Sequence, residues 1–326
     1  MRAFMQPPDP PPPLRPALPM NSTALRYFLE VARTGSIAEA SARLNVASSA
    51  ISRQIAHLEA DLGVELFERR PRGMVPSPAG ELLARHARRV FLEEEAIVNE
   101  LKRLRGLATG VVRIAATEGF GLSLIPSAIH DFRRDHPGIR VELHVDAPAE
   151  VTRMVRDGDV DIGATFSFAP QAGVRAIGEG RAPVLAVLAK DHPLAGRVVL
   201  SLAELAAEPM ALPKKDTTAR QVFDIACGLA GVSVQPVLVS NYIAALWAFA
   251  AEGGGITIAS SFSVHSRSVG TQVALVPIDA PTLDQRRYQI LTMLGRRLPD
   301  AVDAFASHLL GVVQGLQPAG GQGNLI

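Results

Sequence analysis

"SIAEASARLNVASSAISRQIAHLEADLGVELFERR", residues 36–70, holds two helical periods separated by a tight break. Ser36-Ile37-Ala38-Glu39 has the capping-box pattern, in which the Ser hydroxyl and the Glu carboxylate each satisfy an orphan amide at a helix start. The short helix that follows buries Ile37, Ala40 and Leu44 and stops at Asn45, a residue that tolerates left-handed backbone. A second helix is expected from about Ser48 to Leu62, with Ile51, Ile55, Leu58 and Leu62 on one face and Gly63 closing it. Its other face carries Ser49, Ser52, Arg53 and Ala56. Large side chains occur only on the inward stripe. The outward stripe is small, hydroxylic and basic, so it can approach another surface closely.

Upstream, "STALRYFLEVARTG" (22–35) places Leu25, Phe28, Leu29 and Ala32 at helical spacing, with Ser22 or Thr23 as cap and Gly35 as a left-handed terminator. Downstream, "VELFERRPRGMVP" (64–76) reads as a short hairpin or wing carrying Arg69, Arg70 and Arg72. Ser77-Pro78 then forms an N-cap followed by proline at the first helical position. The helix it starts runs to about Gly106, with Leu83, Ala87, Val90, Ile97, Leu101 and Leu104 alternating in threes and fours and Glu94 as the one break. Its length is roughly 43 Å, and a rod of that length needs a partner to cover its stripe.

From Val111 the period changes to short apolar runs alternating with helices. "VVRIAA", a helix around "LIPSAIHDFRRD", "IRVELHV", a helix around "AEVTRMVRD" and "VDIGATF" make a βαβαβ unit. A second cycle passes through "PVLAVLA", "EPMALP", the helix "ARQVFDIACGLAG", "PVLVS", the helix "YIAALWAFAAEG", "ITIAS" and "VALVPI". The chain closes with strand "YQILTML" and helix "DAVDAFASHLLGVV". Two α/β lobes follow from this, with crossings near Arg181-Pro183 and near Ala280-Asp284.

At 326 residues and 48% apolar content the chain can bury cores for two or three domains. The charge, 33 basic against 32 acidic side chains, neither demands nor excludes a polyanionic partner. Any nucleic-acid argument must therefore be local, and even there Glu59, Asp61, Glu65 and Glu68 offset the arginines. Cys227 is the only cysteine, which rules out an internal disulfide, a CxxC pair and a cysteine-based structural zinc site. The Pro-rich start has no apolar core of a signal peptide and no segment reaches the ~20 apolar residues of a bilayer span, so a cytoplasmic location is expected. The leader is expected to be extended and disordered, with Met20 as an alternative start.

Taken in order, these features resemble the LysR-type transcriptional regulators from Met20 to about Val313. The match is densest in "FLEVARTGSIAEASARLNVASSAISRQIAHLEADLGVELFERR" and "PSPAGELL", and "RVEL", "VRDGDVDIGATF" and "AAEGGGITIA" follow in the family's order. The resemblance implies an α/β chain with an N-terminal all-α winged helix-turn-helix, a long linker helix and a two-lobed effector-binding module like a periplasmic binding protein. The expected divisions are a leader at 1–20, the DNA-binding domain at 21–77, the linker and dimerisation helix at 78–109, the effector-binding module at 110–316 and a flexible tail at 317–326. Within the module, lobe 1 covers about 110–181 and 284–316, and lobe 2 about 182–283.

For DNA, the resemblance implies base-edge contacts from Ser48, Ser49, Ser52 and Arg53 and phosphate contacts from Ser36, Arg69 and Arg72. Ser48 stands where the family usually has glutamine and is too short for glutamine's bidentate contact to adenine. Pro76-Ser77 replaces the common Leu-Thr. The partners implied are double-stranded DNA, a small-molecule effector, a second copy through the long helix with a tetramer beyond it, and RNA polymerase. No membrane partner is implied.

Ligands of open α/β sheets sit beyond the carboxyl ends of strands, where loops from both lobes converge. After the first strand this selects Thr117, Glu118, Gly119 and Phe120; after the second, Asp146 and Pro148; after the third, Ser167 and Phe168. The other lobe offers Lys214, Thr217 and Thr218 before a helix start, with Thr218 a good cap, and Ser240 and Asn241 after the next strand. Helix amides with nearby lysines suit an anion, whereas Glu118 and Asp146 suit a cation, so effector charge stays open, as do operator, activation or repression, and dimer or tetramer.

No catalytic set is present: "EGGGIT" lacks the lysine of a phosphate loop, "DGDVDIG" lacks the offsets of a calcium loop, and no GxSxG, HExxH or zinc spacing occurs. The expectation is a non-enzyme with neither cofactor nor metal. The rival functions are a two-lobed small-molecule-binding protein, which would call for an export signal, and an assembly scaffold without DNA binding.

Overall fold

The computed structural model describes residues 22–71, 73–104, 110–167, 169, 171–264 and 272–316. The leader, the tail, Arg72, Phe168 and the end of the linker lie outside them. Two compact units divide the chain between Leu92 and Glu93. Among the described residues no helix is long and apolar enough to cross a membrane.

The first unit contains α1 (Ser22–Thr34), α2 (Ile37–Leu44), α3 (Ser48–Leu62), β1 (Phe67–Arg70), β2 (Gly73–Pro76) and the start of α4 (Pro78–Leu104). Gly35 ends α1 at φ +69° and donates its amide to the Val31 carbonyl at 2.8 Å. Asn45 closes α2 in the left-handed region, at φ 56°, as its side chain allows. The capping box at Ser36 is only half made. Ser36 Oγ accepts the Glu39 amide at 3.3 Å, but the Glu39 carboxylate turns forward to Arg43 at 2.7 Å, because a cation one turn ahead is the stronger partner. The Ser36 amide donates instead to Thr34 Oγ1. β1 and β2 pair antiparallel, and the Met74 amide donates to the Gly35 carbonyl, which fastens the wing to the α1–α2 turn.

The second unit carries two five-stranded sheets. One contains β3 (Gly110–Ala116), β4 (Ile139–Val145), β5 (Ile162–Ser167), β6 (Val174–Arg181) and β12 (Arg287–Met293), in the order β4-β3-β5-β12-β6. The other contains β7 (Val184–Ala189), β8 (Met210–Pro213), β9 (Leu238–Ser240), β10 (Ile256–Ser260) and β11 (Val273–Pro277), in the order β11-β7-β10-β8-β9. Helices α5 (Glu118–Gly121), α6 (Leu124–Asp135), α7 (Pro148–Asp157) and α11 (Asp300–Gly315) belong to the first sheet, and α8 (Leu202–Ala206), α9 (Thr218–Ala230) and α10 (Ile243–Ala251) to the second. Strand β6 carries no apolar alternation, since it lies on a sheet edge with half its residues exposed, and so left no periodic signal.

Register places the crossings. Arg287 pairs with Ser167 and with Arg181, so β12 begins where β5 and β6 end. Ser260 pairs with Val184, so β7 begins where β10 ends. Both connections between lobes therefore run past the carboxyl ends of the parallel strands, and they are tied by an Ala182 amide to Arg286 carbonyl hydrogen bond of 2.8 Å.

Candidate functional site

In the first unit α3 buries Ile51, Ile55 and Leu58 against Phe28, Leu66 and Leu83. Ser48, Ser49, Ser52, Arg53 and Ala56 are exposed on the opposite face. Arg53 has no ion pair among the described residues. Of the offsetting acids, Glu59 turns to the loop, where Oε1 accepts the Leu66 amide at 2.7 Å, while Glu68 pairs with the wing's Arg70 at 2.7 Å. Asp61 lies 3.5 Å from His57. Ser36 sits half-buried at the start of α2, and nothing is described of the Arg69 side chain.

The start of α4 clamps the loop behind that face. Ser77 Oγ accepts the Gly80 amide at 3.0 Å and donates to the Glu65 carbonyl at 2.7 Å, which makes it the expected N-cap. A methyl group on Gly80 would lie 2.0 Å from the Leu66 carbonyl oxygen. Only glycine lets the helix and the loop approach so closely.

Between the lobes of the second unit the strand-end residues separate into several roles. Thr117 is buried with its hydroxyl unpartnered. Glu118 crosses to the other lobe, where Oε1 accepts the Ile243 amide at 2.7 Å and the carboxylate also takes the Ala244 amide. Tyr242, the residue before α10, offers no side-chain cap, so Glu118 performs that task from the opposite lobe. Burial pushes its carboxyl above the usual range, and the two amides pull part of the way back.

A group held above its ordinary value loses stability as pH rises through it. The melting midpoint of the chain relative to a Glu118→Gln variant should therefore fall as pH rises from the ordinary carboxylate range upward. A difference that is flat or rising over that interval would contradict the assignment.

Gly119 leaves no room for a side chain, since a Cβ there would meet Ser263 Oγ at 2.9 Å and Phe166 at 3.2 Å. Phe120 is fully buried and stacked on Phe166 at 4.6 Å, so it supports the floor and offers no surface. Asp146 is exposed, with Oδ1 accepting the Ala147 amide, and Pro148 is the first residue of α7. Ser167 is engaged by the Ala169 backbone and Gln171. The cap of α9 is Thr217, whose Oγ1 accepts the Arg220 amide, and Thr218 is the first helical residue, a correction to the expected cap. Lys214 is exposed beside Lys215 on a cavity of about 640 Å³ that also reaches Arg220 and Gln235. Ser240 Oγ accepts the Tyr242 amide, and Asn241 is exposed.

Arg286 was not expected. It is 5% exposed, its Nε donates to Thr218 Oγ1 at 2.8 Å, and its guanidinium carbon lies 3.6 Å above the Phe166 ring. Burial without a carboxylate pushes its pKa down to about 9, so it is still a cation at neutral pH. Within "DQRRYQ" strand alternation separates Arg286 from Arg287, which pairs with Glu179 at 3.0 Å, but says nothing of which one faces a cleft.

Comparison with known proteins agrees with the fold. Residues 22–81 match the model of the bacterial regulatory helix-turn-helix protein of the lysR family, and residues 105–314 that of the LysR substrate binding domain. The chain is 30% identical over 295 residues to the SDS degradation transcriptional activation protein of Pseudomonas sp. (strain ATCC 19151), covering 88% of this chain and 94% of that one. Full-length OxyR from Pseudomonas aeruginosa shares the fold with a TM-score of 0.67 at 20% identity, over 90% of this chain and 95% of OxyR. CbnR complexed with its target DNA gives a TM-score of 0.56 at 22% identity, over 90% of this chain and 100% of CbnR.

Proposed function

We propose, from the premise that this chain belongs to the LysR family of bacterial regulatory helix-turn-helix proteins, that α3 is its DNA-reading helix. The chain is a DNA-binding transcriptional regulator with an effector-binding domain, and such regulators are generally not enzymes. The observation that carries the assignment of α3 is its exposed face of Ser48, Ser49, Ser52 and Arg53, which has no ion pair among the described residues, backed by an apolar inner face. Arg53 and the three serines read base edges; Ser36, Arg69 and Arg72 hold phosphates.

A second copy joins through α4, where Ile97, Val98 and Leu101 are 59%, 49% and 57% exposed. The dimer presents two reading helices about one DNA turn (~34 Å) or a multiple apart, so the operator is partly palindromic and binding falls steeply with salt. Tetramer assembly, contact with RNA polymerase and a cytoplasmic location complete the reading. The effector enters between the lobes, lined by Thr117, Lys214, Thr217, Thr218, Ser240 and Asn241, with the Glu118 bond to α10 made or broken as the lobes move. An effector shifts that balance only by favouring one arrangement of the lobes.

Fluorescence anisotropy with DNA from upstream of the chain's own gene tests the DNA half. Arg53→Ala should remove about 1–3 kcal/mol of discrimination between matched and scrambled sites. Arg72→Ala should weaken both alike and flatten the salt slope. Arg53→Ala leaving both affinities unchanged would reject the assignment of α3.

A further inference from the structure

Arg286 is a cation enclosed by both lobes, without a counter-ion among the described residues. It springs from the second crossing, lies over Phe166 at the end of β5 and bonds Thr218 at the start of α9. Nη1 is buried and has no acceptor, and no acid among the described residues forms an ion pair with it. Of the carboxylates near the strand ends, Glu118 is committed to the α10 amides, and Asp146 and Asp216 are exposed.

The first turn of α9 adds to the imbalance. Thr217 takes the Arg220 amide, but the amides of Thr218 and Ala219 have no acceptor among the described residues. A 13-residue helix concentrates positive partial charge at those amides, and Arg286 is bonded to the same turn. A buried guanidinium and an open helix start converging on one place, with no ion-paired acid between them among the described residues, form half of an ion-pairing site. Phe166 supplies an apolar wall beside it.

We propose that the effector is an anion, a carboxylate or comparable oxyanion, with one oxygen on Arg286 Nη1 and another toward the Thr218 and Ala219 amides. This rests on the reading of the cleft between the lobes as the effector site, and names the chemical class that the site takes. Because Arg286 sits on the crossing, between Phe166 of one lobe and Thr218 of the other, an anion on Arg286 and the α9 amides adds to the contacts that join the lobes. A cationic effector finds no free carboxylate in this cluster.

The test is a thermal-shift and calorimetric titration of the full chain with benzoate, succinate and inorganic phosphate, against benzamide and benzylamine at matched ionic strength. At least one anion should raise the midpoint while the neutral and amine probes do not. Arg286→Met should weaken that anion about tenfold or more without lowering the ligand-free midpoint, since it removes an uncompensated cation. Thr218→Val, which keeps the guanidinium, should weaken it less. An amine or amide whose shift survives Arg286→Met but falls in Thr117→Val would overturn the anion class and leave the cleft as the effector site. No shift from any probe, or an anion shift untouched by all three variants, would overturn the proposal, and in the second case the cleft as well.

Discussion

Asp161→Ala should destabilise the second unit by about 3–5 kcal/mol, the cost of stranding one member of a buried ion pair. The side chains of Asp161 and Arg296 are each 3% exposed and meet at 2.7 Å. The other carboxylate oxygen accepts the Arg113 amide at 2.7 Å, so a single side chain joins β3, the start of β5 and the segment after β12. Arg296 Nε and Nη1 already lack acceptors, and loss of Asp161 would leave the whole guanidinium unpaired. Urea unfolding followed by Trp247, the chain's one tryptophan and a buried residue of this unit, measures the loss. Combining Asp161→Leu with Arg296→Met should recover only part of it, because the desolvation cost disappears with both charges while the Arg113 amide still lacks its acceptor. If Asp161→Ala shifts ΔG by less than about 1 kcal/mol, the pair is not sealed from water as described.

Gly80→Ala should unfold the DNA-binding unit at lower temperature and weaken DNA binding with it. Helix propensity alone favours the alanine by about 1 kcal/mol. Against that stands a methyl group 2.0 Å from the Leu66 carbonyl oxygen. A backbone carbonyl cannot rotate out of the way as a side chain can, and overpacking of this kind costs about 1–3 kcal/mol or more. The displaced loop carries the Leu66 amide that Glu59 holds and the Leu66 carbonyl that accepts the Ser77 amide, so α3, the wing and α4 lose their common brace. Gly63→Ala is the control: φ +67° is strained for alanine, but no atom lies within 4 Å, so about 1 kcal/mol is expected. Helical circular dichroism should show the Gly80 loss while the Trp247 transition stays in place. A raised midpoint for Gly80→Ala would refute the close approach.

Much of the fold was legible because the period changes along the chain. Ile51, Ile55 and Leu58 recur on one helical face, and the runs from Val111 onward are short, apolar and bounded by turns. Edge strand β6 escaped because a half-exposed strand has no stripe to show. The exposed face of α3 was legible too, since a helix that buries only one side declares the other. The cleft was much less so. Thr117, Thr218 and Ser240 could be placed near it from the strand-end rule, but Phe120 turned into the core, Ser167 into its own turn and Glu118 into the opposite lobe.

Local spacing thus determined, without coordinates, which segments are helices and strands, where α2 and α3 break, and which face of α3 is left for a partner. Those features depend on neighbours three or four positions apart, which the order of residues records directly. What only the tertiary structure decided is which charges are paired: Asp161 with a residue 135 positions away, Glu118 with an amide 125 away, and Arg286 with Thr218 but no acid. Whether a buried charge finds its opposite depends on long-range packing, and nothing in the identity of a single arginine reveals whether a carboxylate will be beside it.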